Sequence, residues 1–185
     1  MEELTKYQRL VLINQYDILA SLAKDKYGKE FYETKSEIVS NGYVRLYGDL
    51  TDFISEELPE EKSIYVKEVL DFYEDVHFAY SSLKDNEKDD AIGRKVVFKG
   101  FDLNDPEQSK LYGYADFMLY KMERWQYIKK LIDSGEVELN SHGSETNEIE
   151  LTKYIERYKA IKSNRKDNHD LTSHLTLKEL KEIFE

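Results

Sequence analysis

The stretch 60-EEKSIYVKEVLDFYEDVHFAYSSLK-84 decides the fold. Val66, Val69, Tyr73, Val76, Tyr80 and Leu83 recur at alternating spacings of three and four, and Leu70, Phe72, His77 and Ala79 widen that stripe. The spacing predicts one helix over about residues 60–84, roughly 37 Å long at ~1.5 Å per residue. Pro59 suits its first turn, and Glu60 and Glu61 complement the helix dipole there. So broad a stripe needs neighbours on several sides, which makes this helix the expected centre of an all-α, multihelical bundle.

The flanking sequence supplies those neighbours. Residues 5–23 open with a Thr5-x-x-Gln8 capping box. Leu10, Val11, Leu12, Ile13, Ile18, Leu19 and Leu22 then cover nearly every face, so burial on most sides is expected, with Asn14 and Gln15 bonded to another helix or subunit. A second helix is predicted over about 29–40, stopped by Asn41-Gly42, and a third over about 44–55. After the central helix, 84-KDNEKDDAIGRK-95 reads as an exposed, mobile loop, and 96-VVFKGFDL-103 as at most one short extended segment, near residues 96–101. Asp105-Pro106-Glu107 starts a helix whose spacing runs through Leu111, Tyr114, Ala115, Met118, Met122, Trp125 and Ile132 to a stop at Gly135. A polar loop over 136–148, a helix over about 149–163 and a Thr176-x-x-Glu179 capping box before a short amphipathic helix complete the chain. We expect a single domain over 1–185, with an acidic helical core in 1–93 and C-terminal helices in 94–185 as its subdomains.

Composition narrows the chemistry. The chain has no cysteine, which removes disulfides, thiolate metal sites and cysteine nucleophiles. Its net charge of −11 is concentrated in the first half: residues 1–93 hold 11 Lys/Arg against 21 Asp/Glu, and residues 94–185 hold 16 against 17. The acidic half would repel a nucleic-acid backbone. Fifteen tyrosines suit surfaces with one edge buried and one wet, as at an oligomer interface, and they equally follow the AT-rich codon usage that 21 lysines against 6 arginines suggest. The N-terminus lacks a signal-peptide pattern and no apolar run reaches membrane-spanning length, so a cytoplasmic protein without a membrane partner is expected.

Within the central stretch, Glu74-Asp75-Val76-His77 has the Glu-x-x-His spacing of carboxylate-bridged di-iron bundles. Such sites need the motif twice, because each metal takes one imidazole beside its oxygen ligands. The residues three positions before His142, His169 and His174 are Leu139, Lys166 and Leu171, so this chain has one copy. The expected role of His77 is therefore structural, on the flank of the apolar stripe. No metal site, catalytic residue or cofactor is expected, because dinucleotide, phosphate-loop, hydrolase-elbow and zincin motifs are missing too. Asp89-Asp90 reads as solvated surface. The basic run 153-KYIERYKAIKSNRK-166, with Arg157, Lys162, Arg165 and Lys166, could touch phosphate or RNA, or dock on the acidic half of its own chain or of a neighbouring subunit.

The stretches 8-QRLVLINQY-16, 41-NGY-43, 73-YEDVHFAYSSLKD-85, 98-FKGFD-102, 111-LYGYADFM-118, Lys153-Tyr154 and 174-HLTLKELKEIF-184 occur in an order that resembles the YfbU family of bacterial proteins over most of the chain. The family pattern includes His77 but not reliably Glu74, and the chain departs from it around 86–94 and 133–148. The resemblance implies a multihelical, cytoplasmic, oligomeric bacterial protein and carries over no catalytic residue.

The leading reading is a non-catalytic regulatory or protein-interaction homo-oligomer, a dimer or higher, with room for a further protein partner. The runner-up is a small-molecule or metal-dependent enzyme whose pocket uses Arg9, Asn14, Gln15, Tyr73 and His77, provided the first and central helices pack together. Nucleic-acid binding through 153–166 ranks last on charge.

Overall fold

A computed structural model describes residues 3–167 and 174–185, and His169 lies outside them. Among the described residues there are eight α-helices and no sheet, which is the all-α architecture that the apolar spacing predicts. None of these helices is long and apolar enough to cross a membrane. The chain divides into two compact units, Met1–Glu57 and Leu58–Glu185.

The first unit is a hairpin of α1 (Lys6–Leu22) and α2 (Lys26–Asn41), followed by two 3-10 turns. Its caps are those the sequence encodes. Thr5 Oγ1 accepts from the Gln8 N–H while Gln8 Oε1 accepts from the Thr5 N–H. Asp25 caps α2 by accepting from the Gly28 N–H at 2.7 Å, so α2 starts three residues before the expected 29. Gly42 ends α2 at φ 70°.

Two expectations fail in this unit. The helix foreseen over 44–55 is instead the turns Val44–Leu46 and Gly48–Leu50, because only Tyr47 and Leu50 reach the core and their spacing of three suits a 3-10 turn. Helix α1, expected to be buried on most sides, buries only Ala20 fully. Within its own unit α2 covers one face of α1, on which Leu12, Ile13 and Tyr16 pack against Ile38, Val39, Tyr47 and Leu50.

In the second unit α3 (Glu60–Ser81) is the axis, and α5 (Pro106–Asp116), α6 (Gln126–Asp133), α7 (Glu148–Asp167) and α8 (Leu177–Phe184) pack around it. The predicted stripe is the one that is buried: Val66, Val69, Leu70, Phe72, Tyr73, Val76 and Ala79. Phe72 meets Tyr158 and Phe184 edge-on, and Tyr73 meets Phe98, so rings from α3, α7, α8 and the 96–103 segment form the core. That segment is no strand: Val96 is helical, Gly100 takes φ 77°, and Phe101 makes an isolated bridge with Asn140.

The segment 84–95 is not a featureless loop. Asp89 Oδ1 accepts from Ala91 N–H and Ile92 N–H and starts α4 (Asp90–Lys95), which buries Ile92 and sends Lys95 Nζ to Phe184 O at 2.7 Å. The helix expected from 105 to 135 is also broken. A π-helical turn, Phe117–Lys121, follows α5, and Glu123 (φ 52°) and Trp125 (φ 46°) take left-handed conformations before α6. Trp125 Nε1–H donates to Asp71 Oδ1 at 2.8 Å, a long-range anchor that holds the break open.

Candidate functional site: an association surface

The pair that first suggested metal is occupied with packing. Glu74 Oε1 accepts from the Tyr127 N–H at 3.1 Å, which places a carboxylate at the N-terminus of α6. His77 Nδ1 lies 2.9 Å from the phenol of that same tyrosine and 3.3 Å from Ser81 Oγ. Glu74 and His77, one turn apart on α3, thus hold α6 by the backbone and side chain of one residue. Burial pushes the Glu74 carboxyl up and the His77 imidazole down from their ordinary values, with the Glu136 charge opposing the shift at His77. No group of three metal-ligating side chains occurs among the described residues. His142 lies beside Asn140 in a turn, and His174 meets Phe78 at a tilt, with ring centroids 4.7 Å apart.

The other pocket candidates belong to both units. Tyr73 bonds Thr146 Oγ1 at 3.1 Å, and burial pushes its phenol up to about 12. Arg9, Asn14 and Gln15 belong to the first unit. Arg9 donates to Ser40 O and to Val39 O, which also accepts from the Gly42 N–H, at the end of α2. Asn14 and Gln15 are exposed rather than buried.

Three of the four basic-run candidates are paired within the second unit. Arg157 donates to Ile183 O at 3.0 Å, Lys162 sits 2.7 Å from Asp75, and Arg165 pairs with Glu179, whose carboxyl it holds down at about 2. Lys166 is exposed. Lys159 pairs with Glu68. Two recesses of about 400 and 540 Å³ beside α3 share Lys67, Asp71 and Glu74. Along them Lys67 pairs with Asp71, which also accepts from Trp125, Lys159 pairs with Glu68 and Lys162 with Asp75, while Glu74 accepts from the Tyr127 N–H.

The feature that stands apart is the outer face of α1. Its charged residues are Lys6, Arg9 and Asp17. Arg9 turns onto α2 as described, and Asp17 accepts from Ser36 Oγ, also on α2, at 2.8 Å. The opposite face presents Tyr7 (77% exposed), Leu10, Val11, Ile18 (58%), Leu19 and Leu22 (70%) with no charge among them. Tyr27 and Phe31 on α2 are exposed as well. An isolated exposed leucine is ordinary, whereas a helix-long apolar face marks an interaction site. The sequence contained its signal: an arc free of charge in a chain that is 35% charged.

Fold and surface together define an all-α protein with a cysteine-free, ion-paired second unit and an apolar first helix. The chain belongs to the YfbU family, whose domain model matches residues 1–185. It is similar to the UPF0304 protein MJECS11 of Methanocaldococcus jannaschii, 29% identical over 139 residues that cover 75% of this chain and 79% of that protein.

Proposed function

We propose that this is a non-catalytic protein that acts through association, and that the outer face of α1 joins copies of the chain into a homo-oligomer serving a regulatory or scaffolding role. One observation carries the reading: α1 directs its Arg9 and Asp17 to its own hairpin partner and leaves an uncharged apolar face in solvent. In a chain of net charge −11, an uncharged face is where two copies can approach with least repulsion. The unit's buried apolar residues are Ala20, Ile38, Val39, Tyr47 and Leu50, too few for a unit of this size to be robust alone. Association supplies the missing burial.

Light scattering on the purified chain tests this. The wild type is expected at twice its monomer mass or more, and Val11→Lys with Ile18→Lys at the monomer mass with unchanged far-UV circular dichroism. A wild type that stays monomeric at tens of micromolar overturns the proposal.

A further inference from the structure

Resting on that reading, we infer the geometry of the contact: α1 pairs antiparallel with α1 of a second copy, about a two-fold axis passing between Asn14 and Gln15. At about 100° per residue the outer arc has Val11 and Ile18 on its midline, Tyr7 and Leu22 just beside it, and the two amides flanking it on opposite sides. Read from either end, the arc has the same order. Apolar residues at 7, 10 and 11 mirror those at 22, 19 and 18, and the amides at 14 and 15 mirror each other. Gln8 mirrors Ser21, so the polar positions obey the same symmetry.

A two-fold axis perpendicular to the helices at that midpoint sets the apolar positions of one copy against apolar positions of the same patch on the other, an isologous contact. Val11 then lies on the partner's Ile18, and Tyr7 faces the partner's Leu22. Asn14 meets the partner's Asn14 on one side of the seam, and Gln15 meets the partner's Gln15 on the other. A carboxamide both donates and accepts, so each is complementary to its own copy. Sliding the helices by one turn would set these amides against apolar groups, which makes the central pair a register lock.

A parallel pair would also lay apolar groups on apolar groups, and the helix ends decide against it. Glu3 and Lys6 are exposed at the start of α1, and Lys24, Asp25 and Lys26 just after its end, where Lys26 pairs with Glu30. Antiparallel packing opposes the two helix dipoles and brings Glu3 of one copy towards Lys24 of the other, whereas parallel packing aligns like dipole ends.

The cysteine-free background makes the test direct. Asn14→Cys, Val11→Cys and Ile18→Cys chains are oxidised separately, and the last two also as a co-refolded mixture. Cysteine is close to valine in size, and Asn14 is exposed, so folding is expected to survive. Asn14→Cys should cross-link to itself, and the mixture should give the mixed Val11→Cys/Ile18→Cys disulfide. Val11→Cys alone should not, because its two copies would stand roughly 10 Å apart along the axis, beyond the ~7 Å Cα limit of a disulfide. Self-cross-linking of Val11→Cys with no mixed product indicates parallel helices and overturns the inference. A dimer by light scattering that forms none of these disulfides also overturns it, placing self-association on another face. A monomer overturns both this and the proposed function.

Discussion

His77 shows how much a side chain's meaning depends on what it meets. Its imidazole faces the Tyr127 phenol and Ser81 Oγ, and burial holds its pKa below the ordinary value of 6.5. The unfolded chain therefore binds a proton more readily than the folded one. The stabilising effect of the neutral ring is complete above pH ~6.5 and is lost as pH falls through that value towards the lower folded pKa. Glu74 acts in the opposite sense: its raised carboxyl favours the folded state at low pH and loses that advantage as pH rises through its folded pKa. Comparing wild type with His77→Gln isolates the imidazole. Urea midpoints should fall more steeply for wild type than for the variant between about pH 7 and pH 5. Equal slopes would show that His77 does not titrate differently on folding. The spacing of Glu74 and His77 on one helix face was legible in the sequence. Their shared target was not, because Tyr127 lies fifty residues on and its approach depends on a chain break that no glycine or proline announces.

At the scale of elements, local signals read well and long-range ones did not. The two Thr-led capping boxes and the stripe of α3 are written in a few adjacent residues, and each forms as its spacing predicts. Helix α4 was missed because its one buried apolar side chain, Ile92, makes no periodicity; the Asp89 cap was its only local sign. The break after α5 was missed because Met118, Met122 and Trp125 keep helical spacing straight through it, while the bond that Trp125 makes beyond it is to Asp71, fifty-four residues earlier on α3. Two glycines make the contrast testable. Gly100 holds φ +77°, and a Cβ there would come within 2.3 Å of Leu139 O, the acceptor for the Phe101 N–H. Gly100→Ala should cost at least about 2 kcal/mol, from left-handed strain and the disturbed bridge. Gly113, in the last half of α5 with open space around it, should behave in reverse, and Gly113→Ala should stabilise by about 0.5–1 kcal/mol. Denaturant titrations of the pair read both signs, and a neutral Gly100→Ala would show that the 98–101 segment yields easily.

For the whole molecule the question is why one unit is richly cross-braced and the other is not. The second unit joins aromatic rings from three helices, and polar bonds such as Tyr158–Asp75 and Arg165–Glu179 link its elements. The first has a few buried side chains and an exposed helix that is apolar on its outer side. The apolar residues of α1 were plain in the sequence, but the burial on most sides that they suggested is not what the structure shows. What a single sequence withholds is whether the cover is intramolecular. If copies of the chain provide it, unfolding is coupled to dissociation and stability depends on concentration. For a dimer, each tenfold rise in protein adds about 1.4 kcal/mol per dimer, which for a chain of this length raises the thermal midpoint by roughly 2 °C. The far-UV circular dichroism midpoint of wild type should climb by about that amount per decade of concentration. The midpoint of the Val11→Lys, Ile18→Lys chain should lie lower and stay constant. Two midpoints that are both independent of concentration would mean that the outer face of α1 gains no stability from a second copy, and the interaction it serves would then have to be with a different partner.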